Sequence, residues 1–367
     1  MTMTRVADFH VNYTAFLDAD GTLMRDQVLP TFSLDSAVLK PLYRQMVLTR
    51  TFDNKAVALQ RTGRLGTYGS CLGQEAVGVG LGAALNPDDV LVPSFREQAA
   101  QIMHGSRMED ILLYWGGDER GSQMQSTPQS QDFPICVPVG TQAAHAVGVA
   151  RAIQLRGEKR AVVCAMGDGA TSKGDIYEAM NFAGAWKLPI LFYIANNQWA
   201  ISVPREEQTS CQTLAQKAIA GGFEGEQVDG NDLLAVHDRC KKSLNRIRNG
   251  EGPHLIEAIT YRLNDHTTAD DATRYREDKA VAAHWKRDPI VRLRNHLVNL
   301  ECWTKQDEEK AIQDAARAVE DAVQNYMHMK PQPVESMFDH LYAELPEAYQ
   351  HQRAHAIACA AAKAAEE

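Results

Sequence analysis

The chain has 367 residues, 44% of them apolar and 23% charged, with a formal net charge of −9. That composition suits one large or two modest domains with a substantial core and excludes wholesale disorder; the acidic balance argues against nucleic-acid binding, which normally needs a basic face. Seven cysteines with neither CxxC nor Cys/His spacing read as a reduced, intracellular chain, not a disulfide scaffold or zinc site.

The N-terminal MTMTRVADFHVNY has no apolar run and carries Asp8, so no secretory signal is expected, and no stretch reaches the roughly 18 apolar residues of a membrane span. Residues 1–35 mix aromatics, acids and turn residues and read as an extended arm packed on a neighbour. Asp35 or Ser36 caps a first long helix running to about Gln60. Gly73-Gln74-Glu75-Ala76 opens a small-residue helix whose glycines permit close helix approach. Val90–Pro93 reads as a short strand that delivers Ser94-Phe95-Arg96-Glu97 to its end. An Arg there can clamp a phosphate, or simply make a surface ion pair. His104 reads as a helix-end histidine without an assigned role. Residues 116–134 are rich in Gly, Ser, Gln and Pro and predict a long loop, a feature usually functional or mobile. Val137-Pro138-Val139-Gly140 leads into a helix in which His145 reads as a core or interface histidine.

Arg160–Pro204 is the most informative stretch. Ala161–Met166 and Leu188–Ala195 predict buried strands, and Asp175–Trp186 between them has helical spacing. In a parallel sheet the Gly167-Asp168-Gly169 and Asn196-Asn197 loops then emerge together at the carboxyl edge, where ligands bind. The two glycines let backbone approach a bulky anion, and a following helix start would aim N–H groups at it. Asp168 offers a carboxylate, Asn197 an amide oxygen and Trp199 a main-chain carbonyl, a set that suits Mg²⁺ bound with phosphate oxygens. Either loop alone is a common turn.

Beyond Pro204, Thr209 or Ser210 caps a helix ending at Gly221-Gly222. Val228–Asp232 is a strand end and structural turn, Leu233–Arg248 a basic amphipathic helix, and Gly252–Tyr261 a strand behind a turn. That strand delivers a polar loop containing Arg262, His266 and Thr267, which is either solvated or at the ligand edge. Helices follow over residues 278–287, 288–300 and Asp307 to about Met329, then Pro331 and Pro333, then an Ala-rich helix within Leu341–Ala365.

Gly167-Asp168-Gly169, 26 residues, then Asn196-Asn197 resembles the thiamine-diphosphate signature. The longer string GDGATSKGDIYEAMNFAGAWKLPI…NNQWAIS resembles the alpha subunit of the decarboxylating component of 2-oxoacid dehydrogenase complexes, over about Leu42 to Leu345. The resemblance implies an α/β thiamine-diphosphate-binding fold, a mostly parallel sheet flanked by helices. Taken with the residue pattern, the expected division is an arm at 1–35, the diphosphate-side binding domain at 36–335 and a helical tail at 336–367. It implies cofactor contacts from Phe95, Arg96, Val137, Val139, Gly167, Asp168, Gly169, Ala170, Asn197 and His266. Asp168, Asn197 and Trp199 would hold Mg²⁺, and His266 is the catalytic candidate, its pKa expected to rise beside an anion. Some relatives carry a further His in the 116–134 loop; here Arg120, Ser122 or Gln123 would stand in. Where some relatives have a phosphorylated Ser, this chain has Thr267, and a phosphate there would repel bound diphosphate.

The implied reaction is oxidative decarboxylation of a 2-oxo acid with acyl transfer to a lipoyl group. Pyruvate is the expected substrate, with branched-chain 2-oxo acids, then acetoin, as alternatives. No second α/β unit presents the ring-activating Glu, so a separate beta subunit is expected to supply it, in a tetramer of two alpha and two beta chains docked to a lipoyl-bearing acyltransferase core. The expected location is cytoplasmic. Two rivals remain: a stand-alone nucleotide-binding enzyme, weakened by the lack of G-x-x-x-x-G-K-[ST], and a non-catalytic regulatory subunit, against which Asp168, Asn197 and His266 speak.

Overall fold

The computed structural model describes residues 3–25, 28–123, 131–339 and 341–366. It divides into two compact units, Met1–Val323 and Gln324–Glu367. In chain order the elements are β1 (Tyr13–Thr14), α1 (Ser36–Arg61), α2 (Glu75–Gly82), β2 (Val90–Val92), α3 (Gln98–Met103), α4 (Met108–Trp115), α5 (Thr141–Leu155), β3 (Val162–Gly167), α6 (Gly174–Trp186) and β4 (Ile190–Asn196). A two-strand hairpin, β5 (Trp199–Ala200) and β6 (Val203–Pro204), follows, then the single turns α7 (Arg205–Gln208) and α8 (Lys217–Ala220). The rest are β7 (Gly225–Asp229), α9 (Leu233–Arg248), β8 (His254–Ile259), α10 (Asp278–Trp285), α11 (Pro289–Asn299), α12 (Lys305–His328), α13 (Ser336–Asp339) and α14 (Glu347–Glu366).

The sheet has six strands among the described residues, in the order β1-β7-β8-β4-β3-β2, all pairs parallel. Because side chains alternate along a strand, each central strand feeds two cores. Val162, Cys164, Met166, Ile190, Phe192 and Ile194 pack with Ala146, Ile153, Ile176 and Met180 of α5 and α6. Val163, Ala165, Leu191 and Tyr193 pack with Val77 and Leu81 of α2 and Val236, Cys240 and Leu244 of α9. This explains the unbroken apolar runs in β3 and β4: a parallel sheet covered on both faces leaves no polar side.

Caps and small residues set the boundaries. The Asp35 side chain accepts from Ala37 N at 2.9 Å and starts α1. In α2, a Cβ built on Gly80 would lie 2.5 Å from Val236 Cγ1 and one on Gly78 2.6 Å from Ala99 Cβ, so those glycines do permit close helix contact.

Three expectations need correction. The arm is partly regular: β1 pairs with β7 of its own chain, and Asp232, which caps α9, accepts from Phe16 N at 2.6 Å and Leu17 N at 2.8 Å. No long helix starts at Thr209 or Ser210; only the α8 turn precedes Gly221, because the buried segment around Leu214 and Ala215 runs into the sheet-side core instead. His145 is exposed on α5, so it is not a core histidine. In the 116–134 loop, residues 119–122 form a 3₁₀ turn, and residues 124–130 lie outside the described residues.

Candidate active site

Strands β2, β3, β4 and β8 run parallel, so the segments after Val92, Gly167, Asn196 and Ile259 leave the same edge of the sheet. A cavity of about 210 Å³ opens there. Phe95, Arg96, Val139, Gly167, Asp168, Gly169, Ala170, Asn197, Trp199 and His266 all line it. Val137 does not line it and is half exposed, and neither do Arg120, Ser122 and Gln123. His104 is engaged elsewhere, 2.7 Å from Asp132 Oδ2 and 3.0 Å from the Asn86 carbonyl.

Asp168 sits at the tip of β3, 1% exposed, and its Oδ2 is buried without a hydrogen-bond partner. Burial pushes its carboxyl up to about 6, against its own backbone N–H, the charge of Arg262, the nearby Gln208 side chain and the charge of Arg96. A buried, unpartnered carboxylate oxygen is costly unless a cation or donor completes it. Asn197, at the tip of β4, is 4% exposed; its amide donates to Gln74 Oε1 at 3.4 Å, and its Oδ1 accepts from Trp199 N at 3.3 Å. A carbonyl oxygen has two lone pairs, so Oδ1 keeps one for a further contact. Among the described residues no cluster of three His, Cys, Asp or Glu side chains could hold a metal. The carboxylate of Asp168 and the amide oxygen of Asn197 are hard oxygen donors, of the kind that Mg²⁺, Ca²⁺ and Mn²⁺ prefer.

The two glycines of the Gly-Asp-Gly turn behave differently. A Cβ on Gly169 would come within 2.9 Å of Ala200 Cβ, so that glycine serves packing against β5. A Cβ on Gly167 would meet nothing within 4 Å, so that glycine leaves open space at the cavity wall. Helix α6 starts at Gly174, one residue before the expected Asp175, and a 3₁₀ turn, Asp168–Ser172, lies between it and Gly167. Thr171 Oγ1 closes that turn on the Asp168 carbonyl at 2.8 Å, and the buried Lys217 donates to Thr171 O and Oγ1 at 2.7 and 2.9 Å.

Two guanidinium groups converge on His266. Arg96 donates to the Ser70 and His266 carbonyls and, at 3.0 Å, to His266 Nδ1. Arg262, fully buried at the end of β8, lies 3.4 Å from the same Nδ1 and donates to Ile201 O and Tyr275 Oη at 2.8 and 2.7 Å. A guanidinium only donates, so His266 Nδ1 is an acceptor and its proton resides on Nε2. Burial and the two guanidinium charges hold His266 down to about 4, and burial with Arg262 lowers Arg96 to about 10. With protein groups alone, the expected rise at His266 is therefore reversed: the anion that would raise it has to arrive with a ligand. The role of Arg262 as second cation escaped sequence reasoning, although an Arg ending the apolar run LIEAITY was its signal. Gln74, Glu97, Gln142 and Ile201 also line the cavity without having been anticipated.

Comparison with known proteins places this geometry. The family model "Dehydrogenase E1 component" matches residues 43–335. The 3-methyl-2-oxobutanoate dehydrogenase subunit alpha of Mycobacterium tuberculosis (strain CDC 1551 / Oshkosh) is 41% identical over 321 residues, 87% of each chain. The pyruvate dehydrogenase E1 component subunit alpha of Bacillus subtilis (strain 168) is 38% identical over 332 residues, 90% of this chain and 88% of its own. Its namesake in Staphylococcus aureus (strain Mu50 / ATCC 700699) is 39% identical, over 90% of this chain and 89% of its own. Such membership implies thiamine diphosphate as cofactor and a 2-oxo acid dehydrogenase reaction. A parallel sheet whose strand tips gather an unpartnered carboxylate, an amide and an Arg–His wall, matched over most of its length by those alpha subunits, belongs to the dehydrogenase E1 component family.

Proposed function

We propose that this chain is the alpha subunit of a pyruvate dehydrogenase E1 component and holds the diphosphate end of thiamine diphosphate through Mg²⁺. The observation that carries the metal–diphosphate reading is the buried Asp168 Oδ2, without a hydrogen-bond partner, in a cavity that Asn197 and Trp199 also line. Asp168, Asn197 Oδ1 and the Trp199 carbonyl would hold the metal. Arg96, His266 and Phe95 would face the diphosphate, Gly167 and Gly169-Ala170 would border it, and Val139, the one of the two expected valines that lines the cavity, would meet the aminopyrimidine. When bound, the cofactor supplies an electron sink for decarboxylation of a 2-oxo acid.

The protein's own contributions are electrostatic and positional. Arg96 and Arg262 keep His266 neutral, with its donor on Nε2, until an anion offsets their charge. Beside a bound diphosphate, His266 would hold its proton more readily, as an imidazolium facing the anion. Asp168, raised to about 6 by burial, would be held ionised to lower pH by a bound cation. A separate beta subunit supplies the carboxylate beside the aminopyrimidine, and a lipoyl-bearing acyltransferase core accepts the acyl group. The location is cytoplasmic; the cysteines, all free, support a reducing compartment, and no helix of the described residues is long and apolar enough to cross a membrane.

The 41% identity to a 3-methyl-2-oxobutanoate dehydrogenase subunit favours a second reading, branched-chain 2-oxo acids, since the pyruvate relatives stand at 38–39%. Steady-state decarboxylation of pyruvate and of 3-methyl-2-oxobutanoate by the reconstituted alpha–beta pair decides between them. Discrimination of about 10–200-fold is the scale that pocket methylenes provide. Full activity of the alpha chain alone would overturn the divided site.

A further inference from the structure

The turn that carries Asn197 and the Trp199 carbonyl is conformationally unusual. Gln198 and Ile201, neither of them glycine, have φ of 71° and 56°. Left-handed backbone at such residues persists only where surrounding contacts over-determine it. At Ile201 the clamp is Arg262, which donates to its carbonyl at 2.8 Å. At Gln198 the clamp is the Asn196 side chain, whose Oδ1 accepts from Gln198 N at 3.2 Å and from Gln198 Nε2 at 3.0 Å.

Asn196 is itself set by a buried carboxylate. Its Nδ2 donates to Glu257 Oε1 at 2.7 Å, while Glu257 Oε2 accepts from Ala215 N and Gln227 Nε2, each at 2.9 Å. Glu257 is 1% exposed in the middle of β8, in an otherwise apolar run, and these three donors are all neutral. A carboxylate placed in a sheet interior breaks the hydrophobic pattern, and such breaks gather where function requires them. Because an ionised carboxylate only accepts, it forces the Asn196 amide to present Nδ2 to it and Oδ1 to Gln198.

We propose that Glu257 is a positioning residue for the metal site, acting through Asn196 to fix the 197–199 turn that presents Asn197 Oδ1 and the Trp199 carbonyl. This rests on the assignment of Asn197 and Trp199 as Mg²⁺ ligands. In Glu257→Gln, one oxygen becomes an NH₂ group. If that group faces Ala215 N and Gln227, donors oppose donors; if it faces Asn196, the Asn196 amide turns over and sets Nδ2 against the Gln198 N–H. Adding Asn196→Asp to the same chain removes the conflict: the introduced carboxylate accepts from the introduced amide and from Gln198, and the buried charge moves by one side chain. Asn196→Asp alone sets two carboxylates against each other.

The test uses the chain co-purified with its beta subunit, saturated with thiamine diphosphate and titrated with MgCl₂ while thermal unfolding is followed. Glu257→Gln should lower the metal-free unfolding temperature by a few degrees, since a buried donor is left facing a donor, and, measured from that lower baseline, should raise half-saturating Mg²⁺ by roughly tenfold to hundredfold. The double variant should return toward wild type, while Asn196→Asp alone stays worse than the double. A wild-type Mg²⁺ response in Glu257→Gln, or a double variant no better than its parents, overturns the positioning role while leaving the metal assignment intact. Wild-type protein showing no Mg²⁺-dependent stabilisation overturns that assignment and this proposal with it. Should Glu257→Gln fail to fold, the double variant decides: recovery of fold and Mg²⁺ response supports the role, and a folded double variant without the response refutes it.

Discussion

Asp168→Asn isolates the electrostatics of the pocket. In the protein without metal, burial lifts the Asp168 carboxyl from 3.8 to about 6, partly offset by its own backbone N–H, Arg262, Gln208 and Arg96. A carboxyl raised on folding binds more protons in the native state than in the unfolded one. Its contribution to stability is therefore greatest below 3.8, declines as pH rises to about 6 and stays low above it. A displacement of that size costs about 3 kcal/mol at roughly 1.4 kcal/mol per pH unit. Asparagine keeps the shape and removes the charge, so metal-free Asp168→Asn should be more stable than wild type at pH 8, by up to about 3 kcal/mol. The advantage should shrink steadily between pH 6 and pH 4. Unfolding followed at pH 4.5, 6 and 8 without Mg²⁺ measures it. With Mg²⁺ and thiamine diphosphate the order should invert, because only the carboxylate gains from the cation. A variant less stable than wild type at pH 8, or a difference independent of pH, would refute the reasoning.

Other consequences can be checked separately. Arg96→Met removes one of the guanidinium charges that hold His266 down to about 4, so the imidazole should titrate nearer its ordinary range, as read by NMR, and cofactor affinity should fall. Gly167→Ala fills open space, whereas the Cβ of Gly169→Ala would press to 2.9 Å from Ala200 Cβ. The first should melt as wild type yet bind thiamine diphosphate poorly; the second should lose about 1–3 kcal/mol of stability. Diphosphate binding near pH 6 should couple proton uptake at His266 to proton release at Asp168, which calorimetry in buffers of different ionisation enthalpy resolves into a small net count. Arg262→Gln removes both the Ile201 carbonyl clamp and the second charge on Nδ1, and should weaken Mg²⁺ and raise the His266 pKa together.

Local pattern carried the sequence reading a long way. Asp168 and Asn197 were legible because strand, turn, helix and strand follow one another within the stretch 160–204, and a parallel sheet puts consecutive strand tips on one edge. Helix α9 was legible to its ends because its amphipathic face and its Asp232 cap are both local. The state of His266 was not legible. Arg96 arrives from the end of β2 and Arg262 from the end of β8, and only the folded sheet brings two cations to one ring nitrogen. The segment after Pro204 misled because cap-like residues are also good loop residues, and its apolar Leu214 and Ala215 serve the core without forming a helix. Val137 was carried over with Val139 from a shared motif. The chain turns at Gly140, whose φ of 89° starts α5, and of the two valines only Val139, next to that turn, reaches the cavity wall.

The position of β8 in the sheet has a consequence for biosynthesis. It lies between β4 and β7, although both are made before it. During translation the β4 edge therefore waits, unpaired and strongly apolar, for a strand still inside the ribosome. Arg262, His266 and the Glu257 tie to Asn196 emerge only with or after that late insertion. The pocket that these residues build therefore closes only once the last wedge, made after both of its neighbours, is driven home between them.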